Sequence, residues 1–232
     1  MRTVEVTDEI QAYLDRLVPK RDPVLARMEE EADREGIPIV ETHEGAFLGL
    51  LVRIAGAKRI LELGTATGYS GIWMLRGTDG GTLTSFEVDG KRAARARANF
   101  AEAGFAKEAL VLEQDAVAGL EKLQGRFDAC FIDLLNSFPS EEVTRRVLEL
   151  CIEHLDGGAL LMADNALRQG EVVKPQTQQP NTVAFYNDDV PHHPRRASLV
   201  VPIRDRLPLA RATPCRTAAR AFLPPPLPCS PA

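Results

Sequence analysis

The sequence predicts an α/β fold in which a mostly parallel, doubly wound sheet carries helices on both faces. Between residues 59 and 164, five short apolar segments alternate with longer segments of helical character. This alternation is typical of successive β–α–β units, whose parallel strands need crossover connections. Because such crossovers are right-handed, consecutive units cover both faces of the sheet. The 232 residues suit one domain of this kind.

Helices are predicted ahead of the sheet, in a helical part that covers residues 1–56. Thr7 and Asp22 are plausible N-caps for the first two helices, because short polar side chains accept bonds from free backbone amides. Gly36 and Gly56 follow the second and third helices, and glycine commonly ends a helix. The three helices are predicted over residues 7–17, 23–35 and 44–55.

The alternating segment supplies most of the sheet. Strands are predicted at 59–63, 82–88, 109–114, 127–133 and 159–164. Helices are predicted between them at 70–77, 91–104, near 116–123 and at 140–155, the last one stopped by Gly157. A long polar loop at 168–181 leads to a short helix around 182–187 and to a sixth strand within 192–203.

The C-terminal segment differs in composition from the rest of the chain. Residues 212–232 contain six of the sixteen prolines and no acidic residue. Such a composition cannot bury enough apolar surface to offset the entropy of ordering, so a disordered tail is predicted. The predicted domain therefore covers residues 1–211.

Composition and charge argue against several classes of function. The formal net charge is −5, whereas nucleic-acid binding requires a basic face. No apolar run reaches membrane-spanning length, and the first residues lack the apolar core of a signal peptide. We therefore expect a cytoplasmic protein without a membrane or nucleic-acid partner. The four cysteines have no metal-binding spacing, and Cys130 and Cys151 are expected to be buried thiols.

The turn after the first predicted strand, in ILELGTATGYSG (60–71), has the features of a nucleoside site. Gly64 and Gly68 allow the backbone to approach a ligand closely. The spacing is not the G-x-G-x-x-G of a dinucleotide site, and the Glu62 carboxylate would repel a pyrophosphate. Glu87 ends the second strand, where an acid can accept bonds from ribose hydroxyls. A nucleoside with a positively charged, amino-acid-like arm, such as S-adenosylmethionine, fits both acids. The alternative is a tight turn beside a solvated Glu87.

Three oxygen-bearing side chains follow the fourth and fifth strands. Asp133 ends FID, and Asp164 and Asn165 end MADN. If these strands are neighbours, the three side chains meet at the same sheet edge as the glycine turn. Two carboxylates and an amide carbonyl suit a hard cation such as Mg²⁺, with Ca²⁺ or Mn²⁺ as alternatives. The competing interpretation is that these residues only cap turns.

These motifs together resemble the cation-dependent O-methyltransferases of the catechol and caffeoyl-CoA type. The resemblance runs from about residue 22 to about residue 204 and includes GAKRILELGTATGYS, TSFEVD, EQDA, FDACFID and MADN. It implies a Rossmann-like, seven-stranded sheet with an antiparallel last strand, a homodimer, and a small aromatic substrate with adjacent hydroxyls.

The resemblance also implies roles for individual residues. S-adenosylmethionine would contact Val40, Glu62, Gly64, Thr65, Ser70, Glu87, Ala116 and Asp133. The divalent cation would be held by Asp133, Asp164 and Asn165. Asp133 would serve both groups, because it lies between the metal and the methionine amine.

Two departures from the family pattern bear on activity. Family members usually carry a Lys three residues after the first metal-binding Asp, where it takes the proton of the substrate hydroxyl. Asn136 occupies this catalytic position here, and an amide does not accept a proton at neutral pH. The expected last strand, near DRLPLARA, contains Pro208. Since proline disfavours strand interiors, a short or poorly formed strand is predicted.

Three functions remain open on sequence alone. The first is metal-assisted O-methyl transfer to a catechol-like hydroxyl. The second is a catalytically weakened cofactor-binding protein with a scaffold or regulatory role, which Asn136 favours. The third, an NAD-dependent oxidoreductase, is disfavoured by the absence of G-x-G-x-x-G.

Overall fold

A computed structural model describes residues 6–174, 181–192, 196–201 and 207–212. Its helices are α1 (Asp8–Asp15), α2 (Pro23–Glu35), α3 (Thr42–Ala55), α4 (Tyr69–Gly77), α5 (Gly90–Glu102), α6 (Ala116–Leu120), α7 (Glu141–Glu153) and α8 (Thr182–His192). Its strands are β1 (Arg59–Leu63), β2 (Thr82–Glu87), β3 (Ala109–Glu113), β4 (Phe127–Ile132), β5 (Leu155–Ala163), β6 (Arg196–Val201) and β7 (Leu207–Ala212). The predicted tail, from residue 213 onward, lies outside the described residues.

The strands form one seven-stranded sheet in the order β3-β2-β1-β4-β5-β7-β6. The first five strands pair in parallel, whereas β7 runs antiparallel to both β5 and β6. The doubly wound α/β class and the antiparallel last strand are therefore confirmed. The strand order reverses between β1 and β4, and this reversal is where ligands bind in open α/β sheets.

Two apolar layers cover the sheet, one on each face. Successive residues of a strand point to opposite faces, so Ile60 packs into one layer and Leu61 into the other. The first layer contains buried residues of α2, α3, α4 and α5, and the second contains those of α6, α7 and α8. Cys130 and Cys151 are buried in the second layer as free thiols, as predicted.

The predicted helix caps are confirmed. The Thr7 hydroxyl accepts a bond from the amide of Ile10 at 3.4 Å, and the Asp22 carboxylate accepts from the amides of Val24 and Leu25 at 2.9 and 3.0 Å. Gly36 follows α2 in the left-handed conformation, with φ +64°. No helix in the described part of the chain is both long and apolar enough to cross a membrane.

The predicted bounds of β5 and α8 need correction. The strand β5 begins at Leu155, four residues before its predicted start, because Gly157 and Gly158 lie within the strand. Gly158 has φ +93°, and a register shift opposite Phe127 accommodates the irregularity. The helix α8 continues to His192 although Pro191 lies in its last turn.

The prediction that Pro208 makes the last strand short or poorly formed is wrong. The strand β7 spans six residues and extends to Ala212, one residue beyond the predicted domain boundary. Its pairing with β5 involves Leu209 to Arg211, whereas Pro208 pairs with Val200 of β6. Pro208 therefore lies outside the part of β7 that joins it to the rest of the sheet.

Candidate active site

The candidate site lies at the carboxyl ends of β1, β2, β4 and β5. The backbone places these strand ends side by side, because the amide of Asp133 bonds to the carbonyl of Leu63 at 2.9 Å. In the same way, the amide of Asp164 bonds to the carbonyl of Ile132 at 3.0 Å. Asp133, the residue after β4, therefore lies beside the end of β1. Asp164, the residue after β5, lies beside the end of β4. The strands β4 and β5 are neighbours, which is the condition that the prediction set. The convergence of the three side chains stays a prediction.

Glu62 is the centre of a buried polar network below the glycine turn. Its carboxylate is inaccessible to solvent and accepts bonds from the hydroxyls of Ser70 and Ser85, both at 2.6 Å. Thr65 extends the network through a hydroxyl–hydroxyl bond to Ser85. Burial raises the pKa of Glu62 to about 7, against the opposing effect of the two hydroxyl donors. The sequence did not single out Ser85, which joins the network because it pairs with Glu62 across β1 and β2.

Glu87 forms hydrogen bonds that stabilise the backbone of the glycine turn. One carboxylate oxygen accepts a bond from the amide of Ala66 at 2.9 Å, and the other accepts from the amide of Asp89 at 2.9 Å. A carboxylate has about four lone-pair positions, so each oxygen keeps capacity for a further donor. Glu87 is buried, and the alternative of a solvated Glu87 is therefore wrong.

The glycine turn makes a close approach to Asp133. Gly64 has φ +96°, and a methyl group added there would lie 2.8 Å from the Asp133 carbonyl oxygen. Gly68 has φ +92°, and a methyl group added there would lie 3.1 Å from the Phe100 ring. Both conformations strain residues that carry a Cβ, so glycine is required at these positions by geometry.

Asp164 and Asn165 form a compact pair after β5. The backbone and side-chain amides of Asn165 both donate to the Asp164 carboxylate, at 2.5 and 2.8 Å. Asn165 adopts φ +65°, a conformation that Asn tolerates better than most residues. Since its amide nitrogen donates, its carbonyl oxygen is the side-chain atom left for a ligand. Both residues keep part of their surface accessible.

Glu44 is the site residue that the sequence analysis missed. It lies in the first turn of α3, only 6% exposed, and one of its carboxylate oxygens, Oε1, is buried without a hydrogen-bond partner. Burial, followed by the charge of Asp164 and a hydrogen bond with it, raises the pKa of Glu44 to about 10. The pKa of Asp133 also lies well above its usual range, because of burial and the charges of Asp164 and Glu62.

A signal for Glu44 was present in the helical spacing. Residues 44, 48 and 52 fall on one helix face, and Glu44, Leu48 and Val52 are all buried. An acid in line with two core residues faces the protein interior rather than solvent.

The remaining predicted residues lie at different depths. Val40 is buried in the segment before α3, and Ala116 is buried at the start of α6. Asn136 is exposed, in a short 3₁₀ turn after β4. Contacts of these residues with a ligand stay predictions.

The described residues contain no preassembled group of three or more His, Cys, Asp or Glu side chains in metal-binding geometry. The proposed trio contains only two such residues, with Asn165 as the third donor. A cavity of about 570 Å³ lies between α1, α2 and the segment leading into α3, and Val40 lines it. Its lining includes none of the acids at the strand ends, so the cavity is not the proposed reaction centre.

Comparison with known proteins assigns the family. The model of a family described as O-methyltransferase matches residues 19–213. A catechol O-methyltransferase from Niastella koreensis is 32% identical over 183 residues, covering 76% of this chain and 80% of that protein. A catechol O-methyltransferase from Mycobacterium tuberculosis is 32% identical over 169 residues, covering 71% and 74%.

The chain belongs to the O-methyltransferase family. It is thus an enzyme of the S-adenosylmethionine-dependent O-methyltransferase class. The family assignment confirms the resemblance seen in the sequence motifs, and it disfavours the oxidoreductase alternative.

Solved structures of other methyltransferases have the same fold. An O-methyltransferase from Bacillus cereus, in complex with SAH, has a TM-score of 0.78 and 26% identity, covering 88% of this chain and 97% of that chain. A methyltransferase from Geobacter sulfurreducens has a TM-score of 0.75 and 27% identity, covering 90% and 98%. This O-methyltransferase therefore shares almost its whole fold with these relatives.

Proposed function

We propose that this O-methyltransferase transfers a methyl group to one hydroxyl of a catechol-like substrate with the help of a divalent cation. The observation that carries the proposal is that Asp133, Asp164 and Asn165 follow adjacent parallel strands, at the same edge of the sheet as the Glu62 network. Hard oxygen donors of this kind suit Mg²⁺. The names of two relatives, both catechol O-methyltransferases, support the substrate class.

The glycine turn and the strand-end acids are the proposed cofactor site. S-adenosylmethionine, when bound, supplies a methyl group on a positively charged sulfur. Gly64 and Thr65 would approach its methionine part, and Glu62, with Ser70 as donor, would stabilise the positive amine electrostatically. Glu87 would accept bonds from the ribose hydroxyls, and Val40 and Ala116 would supply apolar contacts. Holding two reactants in one geometry accounts for much of the rate of such a displacement.

The acids after β4 and β5 are the proposed cation site. Asp133, Asp164 and Asn165 would hold the ion, and their donor chemistry fits it, because two carboxylates crowd together where each raises the cost of charging the other. A bound divalent cation would act as a Lewis acid that lowers the pKa of a phenol and fixes one oxygen near the methyl group.

Asn136 determines what happens to the proton of the substrate hydroxyl. Its amide cannot accept a proton, so solvent at this exposed position would take it. We therefore expect a working enzyme whose rate rises with pH as more of the substrate hydroxyl ionises.

The test is methyl transfer from labelled S-adenosylmethionine to a series of dihydroxy and monohydroxy aromatics. We expect methylation of ortho-dihydroxy compounds only, loss of turnover with a chelator, and recovery when Mg²⁺ is added in excess. Turnover that ignores chelation would contradict the role of the cation. Tight S-adenosylmethionine binding without turnover of any catechol would favour the second candidate, a weakened cofactor-binding protein, which the loss of the usual Lys supports. The predicted homodimer stays a prediction.

A further inference from the structure

The glycine turn has an unusual backbone conformation. Gly64, Ala66 and Gly68 all have positive φ angles, of +96°, +45° and +92°. Ala66 is not a glycine, and the left-handed region is costly for a residue that carries a Cβ. A strained backbone of this kind persists only where the surrounding structure fixes it. The bonds that hold the turn therefore determine whether it keeps its shape without a ligand.

Two side chains form hydrogen bonds with the middle of the turn. The Glu87 carboxylate accepts from the amide of Ala66 at 2.9 Å, and the side-chain amide of Asn99 donates to the carbonyl oxygen of Thr67, also at 2.9 Å. Asn99 lies in the last turn of α5 and is only 3% exposed. Because Ala66 and Thr67 are adjacent, the two bonds together restrict the backbone at the strained position.

Arg27 of α2 fixes the orientation of the Asn99 amide. Its guanidinium donates to the side-chain oxygen of Asn99 at 2.9 Å, so the amide nitrogen is the atom that faces Thr67. The same guanidinium donates to Glu31 of its own helix at 2.8 Å and to Glu102 of α5 at 2.7 Å. Arg27 therefore connects α2 to the glycine turn through Asn99.

A second hydrogen bond joins α2 to the end of the same turn. Tyr69, which follows Gly68 and is 1% exposed, donates from its hydroxyl to the Glu29 carboxylate at 2.6 Å. Arg21 donates to the other oxygen of that carboxylate at 3.0 Å. The helix α2 is thus connected to the turn on both sides of Gly68.

We propose that Asn99 is a positioning residue for the cofactor, which keeps the glycine turn in its binding shape and is itself held by Arg27. This inference rests on the proposed function, because it takes the glycine turn as the S-adenosylmethionine site. A turn that already has its bound conformation binds more tightly than one that must first be ordered. Without the Asn99 bond, fewer contacts oppose the strain at Ala66, and part of the population leaves the binding shape.

The test measures the affinity of the full chain for S-adenosylhomocysteine by isothermal titration calorimetry. We expect Asn99→Asp to weaken binding about tenfold, the effect of one lost buried hydrogen bond. The new carboxylate keeps an acceptor for Arg27 but has no donor for the Thr67 carbonyl. The matched control is Asn181→Asp, because Asn181 also donates to a backbone carbonyl, that of Glu171 at 3.1 Å. The control should change the affinity by less than about threefold, because its bonds lie in another loop.

Steady-state rates separate positioning from a merely structural role. A looser turn weakens cofactor binding equally in the ground state and the transition state, so the KM for S-adenosylmethionine should rise about tenfold in Asn99→Asp with kcat nearly unchanged. Arg27→Met removes the bond that orients the Asn99 amide, and it should raise the KM by a smaller factor. A lower melting temperature with a wild-type KM in these variants would overturn the proposal. If Asn99→Asp does not fold, Arg27→Met alone decides by the same criterion.

Failure of the proposed cofactor site gives a different result. Glu87→Ala removes the proposed ribose acceptor and should weaken S-adenosylhomocysteine binding about tenfold or more. Wild-type affinity in Glu87→Ala would show that the cofactor does not bind at the glycine turn, and the role of Asn99 would fall with that site. Weak binding in Glu87→Ala, together with wild-type affinity in Asn99→Asp and Arg27→Met, would overturn only the role of Asn99.

Discussion

At the scale of single residues, Glu62 makes stability depend on pH. Its pKa is about 7 in the folded chain, above the ordinary value of 4.5, because the carboxylate is fully buried. A raised folded-state pKa means that the contribution to stability is complete below the unfolded pKa and is lost as the pH rises through the folded one. The free energy of unfolding therefore contains a Glu62 term that falls between about pH 4.5 and pH 7.

We predict that Glu62→Gln removes this term in the cofactor-free protein. Between pH 5 and pH 7.5 the difference between wild type and variant should shift in favour of the variant, by up to about 3 kcal/mol. Denaturant unfolding at several pH values measures it. The difference between the two proteins isolates Glu62 from the other acids at the site. Parallel stability curves would contradict the assignment.

Asn136 leads to a prediction about rate. Replacing Asn136 with Lys adds a group that accepts a proton once its amine is neutral, so methyl transfer should rise about tenfold or more, within the range of general-base effects. The gain should grow as the pH rises from 7 to 9. Initial rates with saturating Mg²⁺ measure it. Ser137→Lys, at the neighbouring exposed position, adds the same charge and should give no such gain. Equal rates in both variants would count against a missing base.

The sequence contained most of the candidate site residues but not their network. Glu62, Asp133 and Asp164 could be identified because each stands at a predicted strand end. Ser85 could not, since it depends on the pairing of β1 with β2. The helical spacing indicates that Glu44 is buried, but its place in the site depends on how α3 packs against the sheet. These long-range relations are set by tertiary packing and leave only a weak trace in the local sequence.

At the scale of elements, the turn between β1 and α4 requires a left-handed backbone at Gly64 and brings this residue close to the Asp133 carbonyl oxygen. We predict that Gly64→Ala lowers the free energy of unfolding by about 2–4 kcal/mol, from backbone strain plus a clash with the Asp133 carbonyl. Thermal or denaturant unfolding measures the loss.

Gly36→Ala is the matched control for this prediction. Gly36 also has a positive φ, +64°, but a methyl group there meets nothing within 4 Å. Its cost should be limited to the strain, about 1 kcal/mol. Equal losses in the two variants would show that the close approach to Asp133 has no energetic weight.

Local signals fix most elements, and the misplaced bounds have physical causes. The strand β1 matches its prediction because its apolar residues and its following glycine are both unambiguous. The strand β5 begins early because Gly157 and Gly158, which locally suggest a helix stop, instead allow an irregular strand opposite Phe127. Pro208 is tolerated because it pairs with β6 and not with β5. This pairing is set by the order of strands in the sheet and cannot be read from the local sequence.

At the scale of the whole molecule, β7 joins the C-terminal strands to the sheet. It lies between β5 and β6, so its removal would expose the edge of β5 and leave β6 without a partner. We predict that a chain ending after residue 203 loses cooperative unfolding, whereas a chain ending after residue 212 keeps the wild-type melting temperature within a few degrees. Circular dichroism during heating measures both. Similar melting in both truncations would contradict this role of β7.

The same topology assembles the site. The doubly wound order could be predicted from strand–helix alternation, but the insertion of β7 between β5 and β6 could not, because antiparallel pairing at the end of a chain leaves no periodic signal. The reversal between β1 and β4 brings Glu62 beside Asp133, and the adjacency of β4 and β5 brings Asp133 beside Asp164. The chemistry proposed for this O-methyltransferase follows from those two adjacencies.

A crystal structure grown with Mn²⁺ and S-adenosylhomocysteine, with data collected at the manganese absorption edge, tests the central claim most directly. The account predicts one anomalous peak in contact with Asp133, Asp164 and Asn165, and the cofactor's amino-acid end over the Gly64 turn near Glu62. A cofactor bound elsewhere, or a manganese ion held away from these three side chains, would contradict it.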